Sequence, residues 1–429
     1  MPNSLGGRSL GRALALAGLL ASAVAVGRLG FGPATAHATS AIDLSATMDA
    51  AILAVEGNRP QEADTLLREI IEREPDHAGA ALLLRELYTA RGFELPVDET
   101  ALQQTLGALG PDYRQTETDH FVVLSNGDSK WTRQRSALLE RAHHQFSRVM
   151  NQLGLEVVPP QQKMLCVLIA DHGDYQRFAS LHDRVEAPWV AGYYASLSNR
   201  IVMYDDATGP TFERLAQQLG ELDGQAEQAA MVAMDARQAG ERDYARAAAE
   251  HARYMDSLAA SERKRIEGVL REISDAKAVH EATHQVAFNC NLQSRAHQYP
   301  FWLTEGLATC FEPPDPRRAF GPDIASETRE AEWDRVLDEG KQMPLRQLVG
   351  LVGLDHAHNN EEAAVAYAQA YALFRYLFRY EREALAAYFR DIQREPAGRI
   401  SPKRQVELFE ARFGDIEALE RQWMRQERR

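Results

Sequence analysis

The hydrophobic positions change period several times along the chain, and each change marks a part of it. Between 44 and 94 they recur at helical spacing, with Leu67, Ile70 and Ile71 before Glu74-Pro75-Asp76 and Ala78, Ala81, Leu84 and Leu87 after it. From about 117 short β-rich runs alternate with helical ones. His120 to Ser125 (HFVVLS) and Met164 to Ala170 (MLCVLIA) read as strands, the second buried on both faces. Between them Leu138, Leu139, Phe146, Val149, Met150 and Leu153 place a helix over 130–154, and another starts at Asp174. Residues 190–204 alternate on either side of Ser198-Asn199, which predicts a β-hairpin. Residues 209–272 are rich in Ala, Gln, Glu and Arg but poor in large apolar side chains. They predict a long helical insertion, two helices broken near Gly240, projecting from the core or lying over a cleft. A helix is expected over 326–337 and a strong one over 361–380, its stripe being Ala368, Tyr371, Phe374 and Phe378. Charged amphipathic helices close the chain over 381–429. The fold class expected is α+β, mostly helical, with a small sheet.

The chain has 429 residues, enough for two or three domains, and a formal net charge of −14. That balance disfavours nucleic acid and anionic membrane as partners, since both reward clustered Lys and Arg. Residues 1–38 read as an export signal: Arg8 and Arg12, an apolar stretch from Ala13 to Val26, then Ala36-His37-Ala38 as a cleavage site. The rest of the chain is therefore expected outside the cytoplasm, periplasmic or extracellular, with no further membrane span, or anchored by an uncleaved signal. Gly57, Ala63 and Pro75 are spaced as in one tetratricopeptide-type repeat. A single repeat cannot bury its own face, so 44–94 should pack on the remaining chain or on a protein partner.

The candidate chemistry lies in Val279-His280-Glu281-Ala282-Thr283-His284-Gln285. Histidines four apart on a helix lie one above the other and present two imidazoles to one point, the start of a zinc site. Glu281, next to His280, reaches the ion's bound water without ligating the ion, where a general base is needed. Ser274 or Asp275 is read as a cap starting or restarting that helix. A third ligand on the same chain segment would need Gly at 287 and His at 290, but Ala287 and Cys290 stand there. The best remaining donor is Glu305 in Trp302-Leu303-Thr304-Glu305-Gly306, with His297, Glu312 and Asp315 as competitors. Three cysteines leave at least one unpaired; Cys290 and Cys310 flank the ligand segments and either pair or stay buried as thiols.

The ligand pattern resembles the gluzincin metallopeptidases. More closely, the run from His280 to Gln285 and the run Pro300-Phe301-Trp302-Leu303-Thr304-Glu305-Gly306-Leu307-Ala308 resemble the bacterial family labelled domain of unknown function 1570, itself a predicted peptidase group. The resemblance implies a zincin-like domain over 113–380, one zinc ion, and a peptide or protein substrate. It also implies that the hairpin supplies an edge strand for an extended substrate, so that Tyr193 and Tyr194 line the cleft. A tyrosine of the 361–380 helix, Tyr367 first, or in its place His356, would donate to the oxyanion. Some gluzincins carry an acid three residues after the ligand glutamate to orient a histidine; here that residue is Ala308. The function expected is an exported zinc peptidase with Glu281 as base. The alternatives are a catalytically inert exported zinc-binding scaffold, with the N-terminal helices or the insertion contacting partners, and a hydrolase of a non-peptide amide.

Overall fold

A computed structural model describes residues 44–427 apart from 75–76, 90–93, 156, 187–189 and 355–359. The expected export signal (1–38) and His356 lie outside the described residues. Three helices open the described chain: α1 (Leu44–Glu56), α2 (Pro60–Arg73) and α3 (Ala78–Thr89). They bury Ala51, Ala54, Ala63, Leu67, Ile70, Ala81 and Leu84 in a small core of their own. Among the described residues Val158 joins that core from the rest of the chain, and Arg68 ties the group down by donating to the carbonyls of Pro159 and Pro160.

After α4 (Glu99–Leu109) the chain builds a five-stranded sheet from β1 (Arg114–Glu117), β2 (Phe121–Ser125), β3 (Met164–Ile169), β4 (Gly192–Ala195) and β5 (Arg200–Tyr204). Its order is β1-β2-β3-β5-β4; β2, β3 and β5 run parallel, with an antiparallel strand at each edge. Alternation divides each strand between two cores. Phe121, Val123, Cys166, Leu168, Ile201 and Met203 face α5 (Ser129–Leu153) and the ligand-bearing helices. Val122, Leu124 and Leu165 face α4, while Val167, Ile169 and Val202 face α6 (His172–Phe178). Asp128 caps α5 by accepting from the amides of Lys130 and Trp131, and Gly154 ends it in the left-handed region at φ 67°.

From the sheet the chain leaves along α7 (Pro210–Gln238), turns at Gly240 (φ 82°) and returns as α8 (Arg242–Asn289), 48 residues long. The break near Gly240 is where the sequence puts it. The expected second break is absent: Ser274 and Asp275 sit inside α8, because Arg135 of α5 donates to both side chains. The two helices pack as an antiparallel arm. Ala245, Ala252, Ala259, Ile266 and Ile273 recur every seven residues on its inner face, opposite Leu215, Ala226, Ala229 and Ala236.

A two-residue strand β6 (His297–Gln298) pairs with β7 (Gly398–Arg399). Then come α9 (Phe301–Phe311), α10 (Glu327–Asp338), α11 (Leu345–Val349), α12 (Asn360–Tyr380), α13 (Arg382–Arg394), α14 (Pro402–Phe413) and α15 (Ile416–Glu427). Helix α9 is buried all round, as expected of a helix with no polar face. It crosses α12 so closely that a Cβ on Gly306 would lie 2.5 Å from the Ala370 carbonyl oxygen.

Candidate metal centre

Two helices carry the candidate ligands. On α8 every residue from Ile273 to Ala287 is buried, which fixes the rotation of the helix about its axis. On α9 Trp302 packs against Tyr388 and Phe409, and this anchor turns Glu305 toward α8. His280 Nε2 lies 3.1 Å and His284 Nε2 3.6 Å from the same Glu305 Oε2, and the three ligand atoms all fall within 4.8 Å of one another. The edge of a tetrahedron with metal–ligand bonds of 2.0–2.1 Å is about 3.3 Å, and the two histidine-to-carboxylate separations are close to it. Among the described residues the buried His284 Nε2 makes no contact of hydrogen-bond length, Glu305 Oε2 lying 3.6 Å away. The group can hold a metal ion.

The electrostatics agree with a site built for a cation. Burial works against charge on His280, yet hydrogen bonds and charge from Glu305 and Glu312 outweigh it and raise its pKa. Burial likewise opposes ionisation of Glu305, but the two histidines hold its carboxyl below the usual range. Desolvation lowers the His284 pKa against the opposing charge of Glu305, which favours the neutral ring that ligation needs. Glu281 is fully buried beside them. Burial and then its negative charge push the Tyr175 hydroxyl far up; for Tyr367 the order is burial, Glu305 and then Glu281.

Tyr367 lies at the cluster: its ring centroid is 6.4 Å from that of His280, it hydrogen-bonds Glu305, and Phe301 packs edge-on against it at 5.3 Å. The competing ligands are placed elsewhere. His297 Nε2 bonds the Glu395 carbonyl, and Asp315 pairs with Arg317 at the surface. Glu312 approaches His280 from the far side, its Oε1 2.9 Å from Nδ1, with Arg329 donating to its other oxygen at 2.7 Å. Glu312, a competing ligand by sequence, instead meets the far nitrogen of the ring; its seven-residue spacing from Glu305, two helical turns, is the signal for this contact.

Tyr193 and Tyr194 do not line the site. Both are fully buried, with hydroxyls bonded to Asp183 and Asn199: β4 is an edge strand of the sheet, but its two faces are packed by α6 and α8. Cys290 and Cys310 are free and buried: Cys290 Sγ lies 4.0 Å from His143 Nε2, and Cys310 contacts the Tyr371 carbonyl.

No curated protein and no solved structure matches the chain. The segment from 274 to 397, which includes His280, Glu281, His284, Glu305 and Tyr367, matches the model of the family described as "Protein of unknown function (DUF1570)".

Proposed function

We propose that this chain is an exported zinc-dependent peptidase. The observation that carries the reading is the convergence of His280, His284 and Glu305, from two helices, on one buried point beside Glu281. A zinc ion held there supplies a Lewis acid and brings the pKa of bound water near neutrality. The protein groups do the rest. Glu281, with no ligand role, accepts the water's proton on its carboxylate and returns it to the leaving amine. Tyr367 has its hydroxyl at Glu305 and is the side-chain donor we assign to the developing oxyanion. The dry surroundings strengthen each of these interactions. The net negative charge accords with a peptide or protein substrate rather than nucleic acid.

Metal analysis and a peptide-library assay on exported protein test the reading. Glu281→Gln should keep its zinc and lose hydrolysis by at least about 100-fold, while His284→Ala should lose the zinc. Turnover by Glu281→Gln would remove the assigned base. One observation favours a second reading, an inert zinc-binding scaffold: His280, Glu281, His284 and Glu305 are only 0–5% exposed in this conformation. A zinc-loaded wild type inert toward the whole library would select it.

A further inference from the structure

His280 is gripped on both ring nitrogens. Nε2 lies 3.1 Å from Glu305 Oε2, and Nδ1 lies 2.9 Å from Glu312 Oε1. Both carboxylates come from α9 and its C-terminal cap, so the imidazole is bracketed along one helix face. The sequence explains how. Pro313 disfavours helical backbone at the residue before it, and Glu312 leaves the helix at φ −59°, ψ 114°. Its other oxygen is held by Arg329 of α10, and Arg329 Nη1 donates to Glu332 at 2.7 Å. Glu312, Arg329 and Glu332 are all buried. Two carboxylates thus share one guanidinium, which leaves the row with a net negative charge before Glu281 and Glu305 are counted.

We infer that Glu312, clamped by Arg329 and Glu332, is the positioning residue for His280: it fixes the tautomer with the proton on Nδ1 and aims Nε2 at the metal point. The role rests on the metal-centre reading. It takes the place of an acid three residues after Glu305, where Ala308 stands. A carboxylate behind a ligand histidine raises the basicity of the ring, and losing it weakens metal binding by about 10–100-fold.

The test is zinc affinity of the full chain, measured by competition with a chromophoric chelator for wild type, Glu312→Gln and Glu332→Gln. Glu312→Gln should bind zinc about 10–100-fold more weakly, and Glu332→Gln should shift in the same direction by less. In ¹⁵N-histidine spectra of zinc-loaded protein the His280 Nδ1 resonance should move in Glu312→Gln, a change that a merely structural role would not produce. Wild-type affinity with an unmoved resonance overturns the inference. If Glu312→Gln does not fold, unchanged affinity in Glu332→Gln overturns it. A wild type that takes up no zinc removes the metal centre itself, so the two failures are told apart by the wild-type arm.

Discussion

Helix α8 is one element with two characters. From Arg242 to about Glu272 only five side chains are buried, three of them alanine, and the remainder is exposed or half-buried. From Ile273 to Ala287 nothing is exposed, although Ser274, Asp275, Lys277, His280, Glu281, Thr283, His284 and Gln285 are polar. The distal half is held by close approach of small side chains to one neighbour; its cross-links, such as Arg263–Asp223 at 3.1 Å, are exposed and contribute little. The proximal half is held by partners for its buried polar groups. Lys277 reaches Asp206 at 2.7 Å and the Tyr204 carbonyl at 3.0 Å, and Gln285 donates to the carbonyls of Leu165 and Asn199. Helical periodicity alone therefore describes the arm, whereas the ligand-bearing half is specified by residues far away in sequence.

Three substitutions or conditions press on this difference. The largest effect belongs to Lys277→Met, which leaves the Asp206 carboxylate buried without its counter-charge. It should cost about 3–5 kcal/mol in denaturant unfolding, and a near-neutral result would show that the proximal half does not depend on its polar partners. Next comes Ala252→Leu on the inner face of the arm. Overpacking there should cost about 1–3 kcal/mol and leave zinc content unchanged; loss of metal would mean that the halves are coupled more tightly than their packing suggests. The smallest effect is acid sensitivity on the proximal side, where His143 touches Cys290 at the end of α8. Burial, with the neighbouring charge of His120, lowers the His143 pKa to about 3. An unfolded chain protonates this histidine below about pH 6.5 and the folded one does not, so its contribution is present above that pH and lost as the pH falls. Stability should drop by about 1–2 kcal/mol between pH 7 and pH 5, and His143→Gln should flatten the slope.

Much of the candidate site was legible because its grammar is local. His280, Glu281 and His284 lie within one helical turn, and Glu305 follows a proline and two aromatic anchors. The Gly240 turn and the Ser198-Asn199 hairpin were legible for the same reason, with Asn199 at φ 50° in its turn. The misses involve distant partners. Ser274 and Asp275 have the chemistry of a helix cap, but Arg135, some 139 residues earlier, occupies them within the helix. Tyr193 and Tyr194 were expected at a cleft because a strand's pattern does not say which of its faces is covered. Glu312 was weighed as a ligand because the preference for carboxylate donors says nothing about which nitrogen of a ring it meets. Strand β1, four polar residues in an exposed position, offered no apolar alternation to read.

The contact at Gly306 acts as a spacer of a single hydrogen atom. Glu305 is its chain neighbour, and Tyr367 lies one turn ahead of the Ala370 carbonyl that Gly306 faces. The distance between a ligand carboxylate and the phenol beside it is thus gauged by the thinnest residue available. Any wider side chain there would pry the two helices apart and take the phenol out of reach of Glu305, without touching either functional group.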